Sequence, residues 1–582
     1  MMDSIDKNLL WYQFADDKGE LQSLIFQNPI RVIQAHCIDD VIPCFHKVMN
    51  AVNSNHYAAG FISYEAAPVF DPSFQVHSKS NMPLLWFGIF DHVENKISIS
   101  SNQFSMTAWK PNVDKTVYER NIKKIKDYIK QGDTYQVNYT IRMESTFTGD
   151  GLSYFLQLSQ AQTSNYSAYL NIGNFEILSA SPELFFRRKG NQIITKPMKG
   201  TIKRGLTSEQ DEKYKNWLYH SEKNRAENLM IVDLLRNDLG KIAIPGTVKV
   251  SKLFNIETYP TVHQMTSTIT AEIDENCTIV DIFRALFPCG SITGAPKIKT
   301  MEIIEELEET PREVYCGAIG YIRPNGDAIF NVPIRTVTIN KDSNKAIYGV
   351  GGGITWDSTS IDEYEEILTK ANVLQEKRKD FQLLETILID EGKCFLLTEH
   401  LQRLEKSANY FKFPLDIEKI KKELIDTASL FPQEKQKLRL IVFNTGEFQM
   451  ETSPLLNTEK PKFVRFSDVP IQKENIFVYH KTTNRDVLKS IQEKNKDVYD
   501  IILWNEKGEI TEFTNGNIIL ELKGKLLTPP VSSGLLPGTF RQLLINQNKI
   551  SEAILTKDDV IQASRIWFIN SVRKWEEVFL IQ

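Results

Sequence analysis

Cysteine is scarce in this chain of 582 residues, with only six scattered along its length. A disulfide scaffold needs a much denser set, so that class of protein is excluded. No two of them form a Cys-x-x-Cys pair, which argues against a structural zinc site. The six are Cys37, Cys44, Cys277, Cys289, Cys316 and Cys394.

Long apolar runs and a surplus of positive charge are also missing. The longest apolar stretch, Met82 to Phe90, is far shorter than the roughly 20 residues that span a bilayer. The 69 basic and 74 acidic residues leave a net charge of −5, so there is no basic footprint for nucleic acid. The first residues, Met-Met-Asp-Ser-Ile-Asp, lack the basic and apolar segments of a signal peptide. We therefore expect a cytoplasmic protein without membrane or nucleic-acid partners.

The composition is that of an ordinary globular protein, with 41% apolar and 25% charged residues. A chain of this length predicts roughly three or four compact units. The charge run from Gln375 to Asp380 marks the clearest boundary, and a softer one lies near residues 108–115. We predict units over residues 1–110, 111–378 and 379–582.

Hydrophobic periodicity and capping signals predict a mixed α+β fold for the first two of these units. The predicted helices cover 117–129, 221–239, 278–287, 296–307 and 362–377, with Ser221 and Thr278 as N-caps. The predicted strands cover 135–145, 175–188, 316–323, 328–340 and 345–354.

Several carboxylates fall on predicted helices beside Gly-rich loops. Glu227 is one, and Glu363 and Glu366 share a face of another helix because they are three residues apart. Magnesium prefers oxygen ligands and is commonly held by one or two carboxylates plus substrate. By spacing alone, solvated helix faces are the commoner explanation of such residues, and the spacing favours a metal site only weakly.

Two Gly-rich turns and one lysine complete the pattern. Gly290–Lys297 precedes a helix and Gly351–Gly353 ends a strand, as in anion-binding loops or in ordinary tight turns. Lys199 lies in Lys196-Pro197-Met198-Lys199-Gly200-Thr201, and Glu183 lies 16 residues earlier. A nucleophilic lysine must be neutral, and at an ordinary pKa only about 1 in 2,500 is neutral at pH 7.

Together these segments resemble the chorismate-utilising enzyme family over roughly residues 110–378, with residues 1–110 completing the same fold. The motifs that carry the resemblance are Gly132–Asn138, Pro197–Thr201, Ala226–Leu234, Arg236–Gly240, Gly290–Lys297 and Gly351–Ile354. The resemblance implies antiparallel sheets packed with outer helices and a magnesium-dependent site for chorismate. It implies Glu227 and Glu366 as metal ligands with Glu363 nearby. The implied substrate-binding residues are Gly200, Thr201, Tyr315, Arg335, Gly351, Gly352 and Gly353.

The Pro-x-Lys-Gly-Thr motif resembles the aminodeoxychorismate synthase subfamily. Anthranilate synthases have Ala where Lys199 stands, and isochorismate-forming members have Lys where this chain has Gln136. The resemblance implies that Lys199 attacks C2 of chorismate, that Glu183 is the general acid/base for the leaving hydroxyl, and that ammonia enters at C4. His263 matches a site histidine of relatives or a satisfied core histidine, and Asn224 departs from the acid that relatives often carry.

The ammonia source is not visible in the sequence. A glutaminase of the relevant class needs a nucleophilic cysteine on a Gly-x-Cys-x-Gly elbow, and none of the six cysteines has that context. We expect a separate glutaminase partner or the direct use of ammonium.

The last two hundred residues carry a different set of motifs, namely His400–Leu404, Lys481–Arg485, Ile510–Asn517 and Gly534–Thr539. Their order resembles fold-type IV pyridoxal-phosphate enzymes, and the Lys-x-x-Asn-Arg form resembles aminodeoxychorismate lyases. The resemblance implies Lys481 as Schiff-base lysine and proton shuttle, and Glu512 at the pyridine nitrogen. It implies Arg403 and Thr539 at the phosphate, with Thr514 nearby.

That lyase reaction is loss of pyruvate to give 4-aminobenzoate, so the two parts would catalyse consecutive steps toward folate. The chain departs from stand-alone relatives, which carry additional strands before the segment matched by Leu384-Glu385-Thr386. Two alternatives stay open: an anthranilate synthase, or a C-terminal part that is a non-catalytic docking module.

Overall fold

The computed structural model describes residues 8–96, 102–376, 379–455 and 461–581. They form two compact units: residues 1–203 with 214–378, and residues 204–213 with 379–582. The mixed α+β class predicted from the sequence is confirmed. No helix among the described residues is long and apolar enough to cross a membrane. All six cysteines are free thiols.

The first unit is built on two large antiparallel sheets. Its strands are β1 (Leu9–Ala15), β2 (Leu21–Gln27), β3 (Arg31–Ala35), β4 (Tyr57–Ile62), β5 (Leu85–Phe90), β6 (Phe104–Met106), β7 (Lys110–Pro111), β8 (Gln136–Gly149), β9 (Tyr166–Asn171), β10 (Phe175–Ser181), β11 (Leu184–Lys189), β12 (Gln192–Lys196), β13 (Met198–Lys203), β14 (Lys249–Thr258), β15 (Val262–Glu272), β16 (Gly294–Ala295), β17 (Ala318–Ile322), β18 (Ala328–Asn331), β19 (Thr336–Asn340) and β20 (Lys345–Ile354).

One sheet has the order β16-β8-β20-β19-β10-β9-β1-β2, and β6 and β7 also pair with β8. The other has the order β13-β15-β12-β11-β18-β17-β4-β5-β3, and β14 also pairs with β15. Strands from the first hundred residues therefore complete both sheets.

The helices of the chain are α1 (Ile38–Asn53), α2 (Lys115–Gln131), α3 (Gly151–Gln162), α4 (Ser208–His220), α5 (Glu222–Gly240), α6 (Ile279–Leu286), α7 (Lys297–Leu307), α8 (Ser360–Ala371), α9 (Leu397–Phe411), α10 (Ile417–Ser429), α11 (Asp486–Glu493), α12 (Thr539–Asn546) and α13 (Lys557–Gln562). The predicted N-caps are confirmed. Ser221 accepts a hydrogen bond from the Asn224 backbone, and Thr278 forms a reciprocal capping box with Asp281. The last predicted helix ends earlier than expected, at Ala371, and its residue 377 lies outside the described residues.

Three apolar clusters hold the first unit together. One lies between the two sheets, where Tyr12, Phe61 and Tyr321 are buried. The other two fill the outer faces of the sheets, against α2, α3, α7 and α8 on one and against α1, α5 and α6 on the other. Burial of apolar surface on both faces of each sheet is what stabilises this four-layer arrangement.

Two strands that the sequence predicts as continuous are each broken, and the prediction is wrong at both. The 175–188 segment splits at Pro182 into β10 and β11, which belong to different sheets. The 328–340 segment splits into β18 and β19 in the same way, with Arg335 at a φ of 51°. Proline removes the ladder donor and a left-handed residue turns the chain, so neither strand can continue.

The two crossings lie side by side. The Val332 backbone N–H donates to the Glu183 carbonyl (3.1 Å), and the Ser181 hydroxyl donates to the Val332 carbonyl (2.5 Å). The predicted acid Glu183 is thus placed at the point where the chain passes from one sheet to the other.

The second unit has a four-stranded and an eight-stranded sheet. Its strands are β21 (Leu383–Asp390), β22 (Lys393–Cys394), β23 (Gln436–Val442), β24 (Phe448–Pro454), β25 (Phe463–Phe466), β26 (Asp500–Trp504), β27 (Ile510–Phe513), β28 (Asn517–Leu522), β29 (Lys525–Thr528), β30 (Ser551–Glu552), β31 (Arg565–Asn570) and β32 (Lys574–Leu580). The orders are β22-β21-β23-β24 and β27-β26-β25-β32-β31-β28-β29-β30. Helices α9 and α10 pack on the small sheet through Leu401, Leu404 and Leu424.

Candidate active sites

Lys199 lies on a bulge at the start of β13. Met198 pairs with Thr266 and Thr201 pairs with Gln264, so β13 carries one more residue than its partner over this stretch. Gly200 adopts a φ of +90°, and a Cβ on it would lie 3.0 Å from the Asn224 side chain. A bulge redirects the side chains beside it, and only glycine adopts this backbone without strain.

The amine of Lys199 is close to the end of β20. A Cβ on Gly353 would lie 3.1 Å from Lys199 Nζ and 2.2 Å from Gln136 Nε2, so the missing side chain leaves room for both. Burial lowers the pKa of Lys199, while the charges of Glu183 and Glu227 oppose that shift. The structure therefore brings the predicted nucleophile, the predicted acid and one predicted metal ligand together.

Glu183 is almost fully buried, with 2% of its surface exposed. Burial raises the pKa of Glu183 to about 7, against a lowering by the Ser291 hydrogen bond and the Lys199 charge. Its Oε1 accepts that hydrogen bond from Ser291 Oγ at 2.6 Å. A carboxyl that titrates near neutrality can both give and take a proton under working conditions.

The predicted metal ligands lie on α5 and α8. A Cβ on Gly352 would lie 3.1 Å from Glu363 Oε2 and 3.8 Å from Glu366 Oε1, so both carboxylates face that glycine. Burial raises the pKa of Glu227, and the nearby charge of Glu366 adds to the rise. Burial would also raise the pKa of Glu366, but Lys370 at 2.6 Å holds it below the ordinary value.

These oxygens suit a hard cation. The described residues contain no group of three or more His, Cys, Asp or Glu side chains arranged around one metal position. Magnesium does not require such a group, because one or two carboxylates together with water and substrate hold it. Glu227, whose pKa is raised in part by the charge of Glu366, and Glu366 itself fit that kind of site.

Two residues near this site were not identified from the sequence. Gln264 accepts from Thr201 Oγ1 (2.9 Å) and donates to the Gly200 carbonyl (3.0 Å), so it fixes the Gly-Thr loop. Lys370 donates to the Gly351 carbonyl at 2.8 Å as well as pairing with Glu366. The signal for Lys370 is its position four residues after Glu366 on one helix. The neighbouring His263 is buried, with Nδ1 3.0 Å from Thr258 Oγ1.

Tyr315 and Arg335, the other predicted substrate-binding residues, make contacts of their own in the first unit. The Tyr315 ring packs on Gly349, where a Cβ would lie 2.4 Å away. Arg335 donates to Gln162 and lies beside Tyr348 and Tyr259. Within the described residues neither makes a hydrogen bond or ion pair with Lys199 or with the three glutamates.

The second unit encloses a cavity of about 470 Å³. Every residue to which the C-terminal motifs pointed lines this cavity: Arg403, Lys481, Glu512, Thr514 and Thr539. An amine, a guanidinium, a carboxyl and two hydroxyls around one space are the donor set that a phosphorylated pyridine aldehyde requires, so the residues fit that group.

Lys481 is anchored through its backbone to β21, because the Leu384 N–H donates to its carbonyl at 3.0 Å. Burial lowers the pKa of the Lys481 amine to about 7, and the charges of Arg403 and Arg485 act in the same direction. About half of these amines are therefore neutral at pH 7 without any ligand.

Arg403 is held by a carboxylate that the sequence analysis did not assign. Glu385 accepts from Arg403 Nε (2.9 Å) and Nη2 (2.6 Å), and also from His400 Nδ1 (2.6 Å). Burial would raise the pKa of Glu385, but Arg403 and His400 hold it down to about 2. His400 Nε2 in turn lies 3.4 Å from Thr539 Oγ1. The signal was the Leu-Glu-Thr segment, where Glu385 lies in a largely apolar strand.

Glu512 lies near the end of β27, and Thr514 is the first residue after that strand. Burial raises the pKa of Glu512 to about 8, and its oxygens accept from the Leu536 backbone and Asn517 Nδ2, each at 3.2 Å. Thr514 Oγ1 donates to Asp500 and accepts from Gln492 Nε2 at 2.6 Å. Asn515 Nδ2 also donates to Thr514 Oγ1, at 3.3 Å, so both lone pairs of this hydroxyl already accept a hydrogen bond within the protein.

Comparison with family models gives two matches. The model described as chorismate binding enzyme matches residues 9–376, which is more than half of the chain. The chain belongs to the chorismate-binding enzyme family. The model described as amino-transferase class IV matches residues 382–580, so the second unit carries that domain.

Curated relatives match the chorismate-binding unit. "Aminodeoxychorismate synthase component 1" of Escherichia coli (strain K12) is 41% identical over 49% of this chain and 67% of its own length. "Anthranilate synthase component 1" of Saccharolobus solfataricus is 36% identical over 49% of this chain and 70% of its own length. Three further aminodeoxychorismate synthase components are matched over only 54–59% of their lengths.

Among solved structures, the anthranilate synthase component I of Streptococcus pneumoniae superposes with a TM-score of 0.53 at 23% identity. The match covers 65% of this chain and 94% of that one. At this level of identity the comparison establishes the fold of the chorismate-binding unit and nothing about its substrate.

Proposed function

We propose that the chorismate-binding unit aminates chorismate to 4-amino-4-deoxychorismate, and that the class IV unit then releases pyruvate to give 4-aminobenzoate. The curated relatives support the first step, and the aminotransferase-like domain on the same chain supports the second. The observation that carries the proposal is a half-buried Lys199 whose amine feels the charge of the buried Glu183. The anthranilate synthase motif, with Ala at 199, could not provide this pair.

In the first step Lys199 is the nucleophile. Its neutral amine bonds to C2 of the ring, both ring double bonds shift, and the C4–O bond breaks. Glu183 gives its proton to the departing oxygen, which leaves as water. Ammonia then bonds to C4, both double bonds shift back, and the C2–N bond to Lys199 breaks while Glu183 takes a proton from the new amine.

Magnesium would be held by Glu227 and Glu366, with Glu363 close by. Bound there, the metal supplies positive charge to a carboxylate of the substrate. Lys370 pairs with Glu366 and fixes the Gly351 carbonyl, so it keeps α8 and the end of β20 in register for that site.

In the second step pyridoxal phosphate would be held by Lys481, Arg403, Glu512 and Thr539. The cofactor supplies an electron sink for the bond changes at the amine carbon. Arg403, oriented by Glu385, would bind the phosphate, and the Glu512 carboxylate would accept a hydrogen bond from the ring nitrogen. Lys481, whose pKa is about 7, holds and returns the proton that moves during elimination.

The cavity also suits an acidic substrate. Besides Arg403 and Lys481 it is lined by three further cations, Lys437, Arg485 and Arg573. Because 4-amino-4-deoxychorismate carries two carboxylates, cations beyond those needed for the cofactor support it as the ligand.

Ammonia would come from a separate glutaminase. The curated relatives are described as component 1 of their enzymes, which supports a second component. None of the six cysteines of this chain lies on a Gly-x-Cys-x-Gly elbow.

Product analysis tests the proposal directly. The protein is incubated with chorismate, magnesium and ammonium, with and without pyridoxal phosphate, and the products are separated by liquid chromatography. We expect 4-amino-4-deoxychorismate without the cofactor and 4-aminobenzoate plus pyruvate with it. Anthranilate as the main product would refute the first step, and an unchanged product after addition of cofactor would favour a docking role for the second unit.

A further inference from the structure

Ser291 holds one oxygen of Glu183 in a fixed place. Its hydroxyl donates to Glu183 Oε1 at 2.6 Å, and both side chains are buried, with 4% and 2% of their surfaces exposed. Ser291 lies on the 3-10 turn Gly290–Ile292. A Cβ on Gly290 would lie 2.4 Å from the Leu234 side chain, so the turn rests directly on α5 and its position is fixed.

The direction of the hydrogen bonds around Ser291 follows from its single proton. Cys289 Sγ lies 3.2 Å from Ser291 Oγ. Burial raises the pKa of Cys289 to about 12, so this sulfur is a thiol at neutral pH. Since the Ser291 proton points to Glu183, the thiol is the donor to Ser291. The result is a short chain of donors from Cys289 through Ser291 to Oε1.

The other carboxyl oxygen of Glu183 is left for the reaction. No hydrogen bond from the described part of the chain reaches Oε2, whereas the backbone is tied on both sides by Ser181 and Val332. The charged group that acts on this carboxyl is Lys199, from β13, and the neutral Cys289 thiol faces it through Ser291. An oxygen that already accepts a hydrogen bond is the poorer place for a proton, so the proton resides on Oε2.

We propose that Ser291 is a positioning residue that selects Oε2 of Glu183 as the oxygen that exchanges a proton with the substrate. This inference rests on the proposed amination. As the C4–O bond breaks, the Oε2 proton passes to the departing oxygen, which leaves as water. When the C–N bond has formed, Oε2 takes a proton from that nitrogen, and Oε1 keeps its hydrogen bond throughout.

Ser291→Ala tests the inference through the pH profile. Loss of the hydrogen bond favours the protonated form of Glu183 and so raises its pKa. The alkaline limb of the pH profile for amination should therefore move to higher pH. We expect kcat to fall about 10–100-fold, because Oε1 and Oε2 then compete for the proton, with KM for chorismate nearly unchanged. Ser291→Thr keeps the hydroxyl and should recover kcat to within about threefold. Cys289→Ala, which leaves the Ser291 donor in place, serves as the matched control.

An unshifted limb in folded Ser291→Ala, judged by circular dichroism, would overturn the inference, as would equal losses in the Ala and Thr variants. If Ser291→Ala does not fold, the pH profiles of Ser291→Thr and Cys289→Ala decide. An alkaline limb that is displaced in Ser291→Thr, which keeps the hydroxyl, but not in Cys289→Ala argues against positioning. Infrared titration of the Glu183 carboxyl, assigned with Glu183→Gln, measures the effect without turnover. It separates failure of this inference from failure of the proposed amination.

Discussion

The two units each bury a lysine, but they do so in opposite electrostatic settings. Burial lowers the pKa of both amines. Around Lys481 the nearest charges are Arg403 and Arg485, which lower the pKa further, to about 7. Around Lys199 they are Glu183 and Glu227, which favour the charged form. Burial alone therefore does not fix the neutral fraction of an amine, because the neighbouring charges also decide how far its pKa falls.

The difference follows the task of each residue. The cations around Lys481 are the guanidinium groups of Arg403 and Arg485, whose charge does not change over the ordinary working range of pH. The carboxylates around Lys199 are the groups we propose for proton transfer and metal binding, so their effect depends on their own state. Each lysine can be removed singly, which allows the two sites to be tested against each other in one chain.

Removal of Lys199 should give the largest effect. We expect Lys199→Ala to lose at least about 10⁴-fold in amination rate, the order seen when a nucleophile is removed. The release of pyruvate from supplied 4-amino-4-deoxychorismate should be unchanged. Stopped assays with chorismate and ammonium measure the first activity. Lys203→Ala, on an exposed residue of the same strand, is the control, and amination by Lys199→Ala at the normal rate would exclude a covalent route.

Removal of Lys481 should reverse this pattern. We expect Lys481→Ala to lose about 10³-fold in pyruvate release, because the residue that moves the proton is absent. Amination in the first unit should continue, so 4-amino-4-deoxychorismate should accumulate. Lys489→Ala on α11 provides a variant with the same charge change on an exposed residue. If Lys481→Ala released pyruvate at the wild-type rate, the cavity would not be the lyase site.

Local features were predictable from the sequence, whereas features that depend on distant segments were not. The caps Ser221 and Thr278 were predicted because their partners lie within three residues. The breaks after Ser181 and before Thr336 were missed although Pro182 marks the first, because the strand pattern continues on both sides of each crossing. Only the tertiary structure shows that the chain changes sheet there.

The same distinction applies to the sites. Lys199 and Lys481 were indicated by motifs that surround them directly in the sequence. Gln264 and Ser291 act on residues more than sixty positions away, so no spacing in the sequence points to their contacts. Glu385 lies 18 positions before Arg403, and an acid buried in an apolar strand was its only signal.

A third prediction concerns how Arg403 is held. Glu385→Gln removes the ionic part of two hydrogen bonds and should weaken pyridoxal phosphate binding by about 2 kcal/mol, or about 30-fold. Binding of pyridoxal, which lacks the phosphate, should change much less. Fluorescence titrations with both ligands measure this. Glu405→Gln, an exposed change on the helix that carries Arg403, is the reference variant. Equal weakening of binding for both ligands would place Arg403 away from the phosphate.

The smallest predicted effect is the pH dependence of labelling at Lys481. Because the pKa of Lys481 is about 7, the neutral fraction of its amine rises about tenfold between pH 6 and pH 8 and then levels off. The rate at which added pyridoxal phosphate gives a borohydride-stable label on Lys481, followed by mass spectrometry, should follow this curve. An amine with an ordinary pKa would instead keep gaining about tenfold per pH unit up to pH 10.

Arg485→Gln sharpens that measurement, because it removes one of the cations that lower the pKa of Lys481. The midpoint of the labelling curve should move to higher pH, whereas Arg485→Lys, which keeps the charge, should leave the curve close to that of the wild type. A labelling rate that still rises steeply between pH 8 and pH 10 in the wild type would show that the cations do not lower the pKa of Lys481 to about 7. The contrast with Lys199 would then have to rest on burial alone.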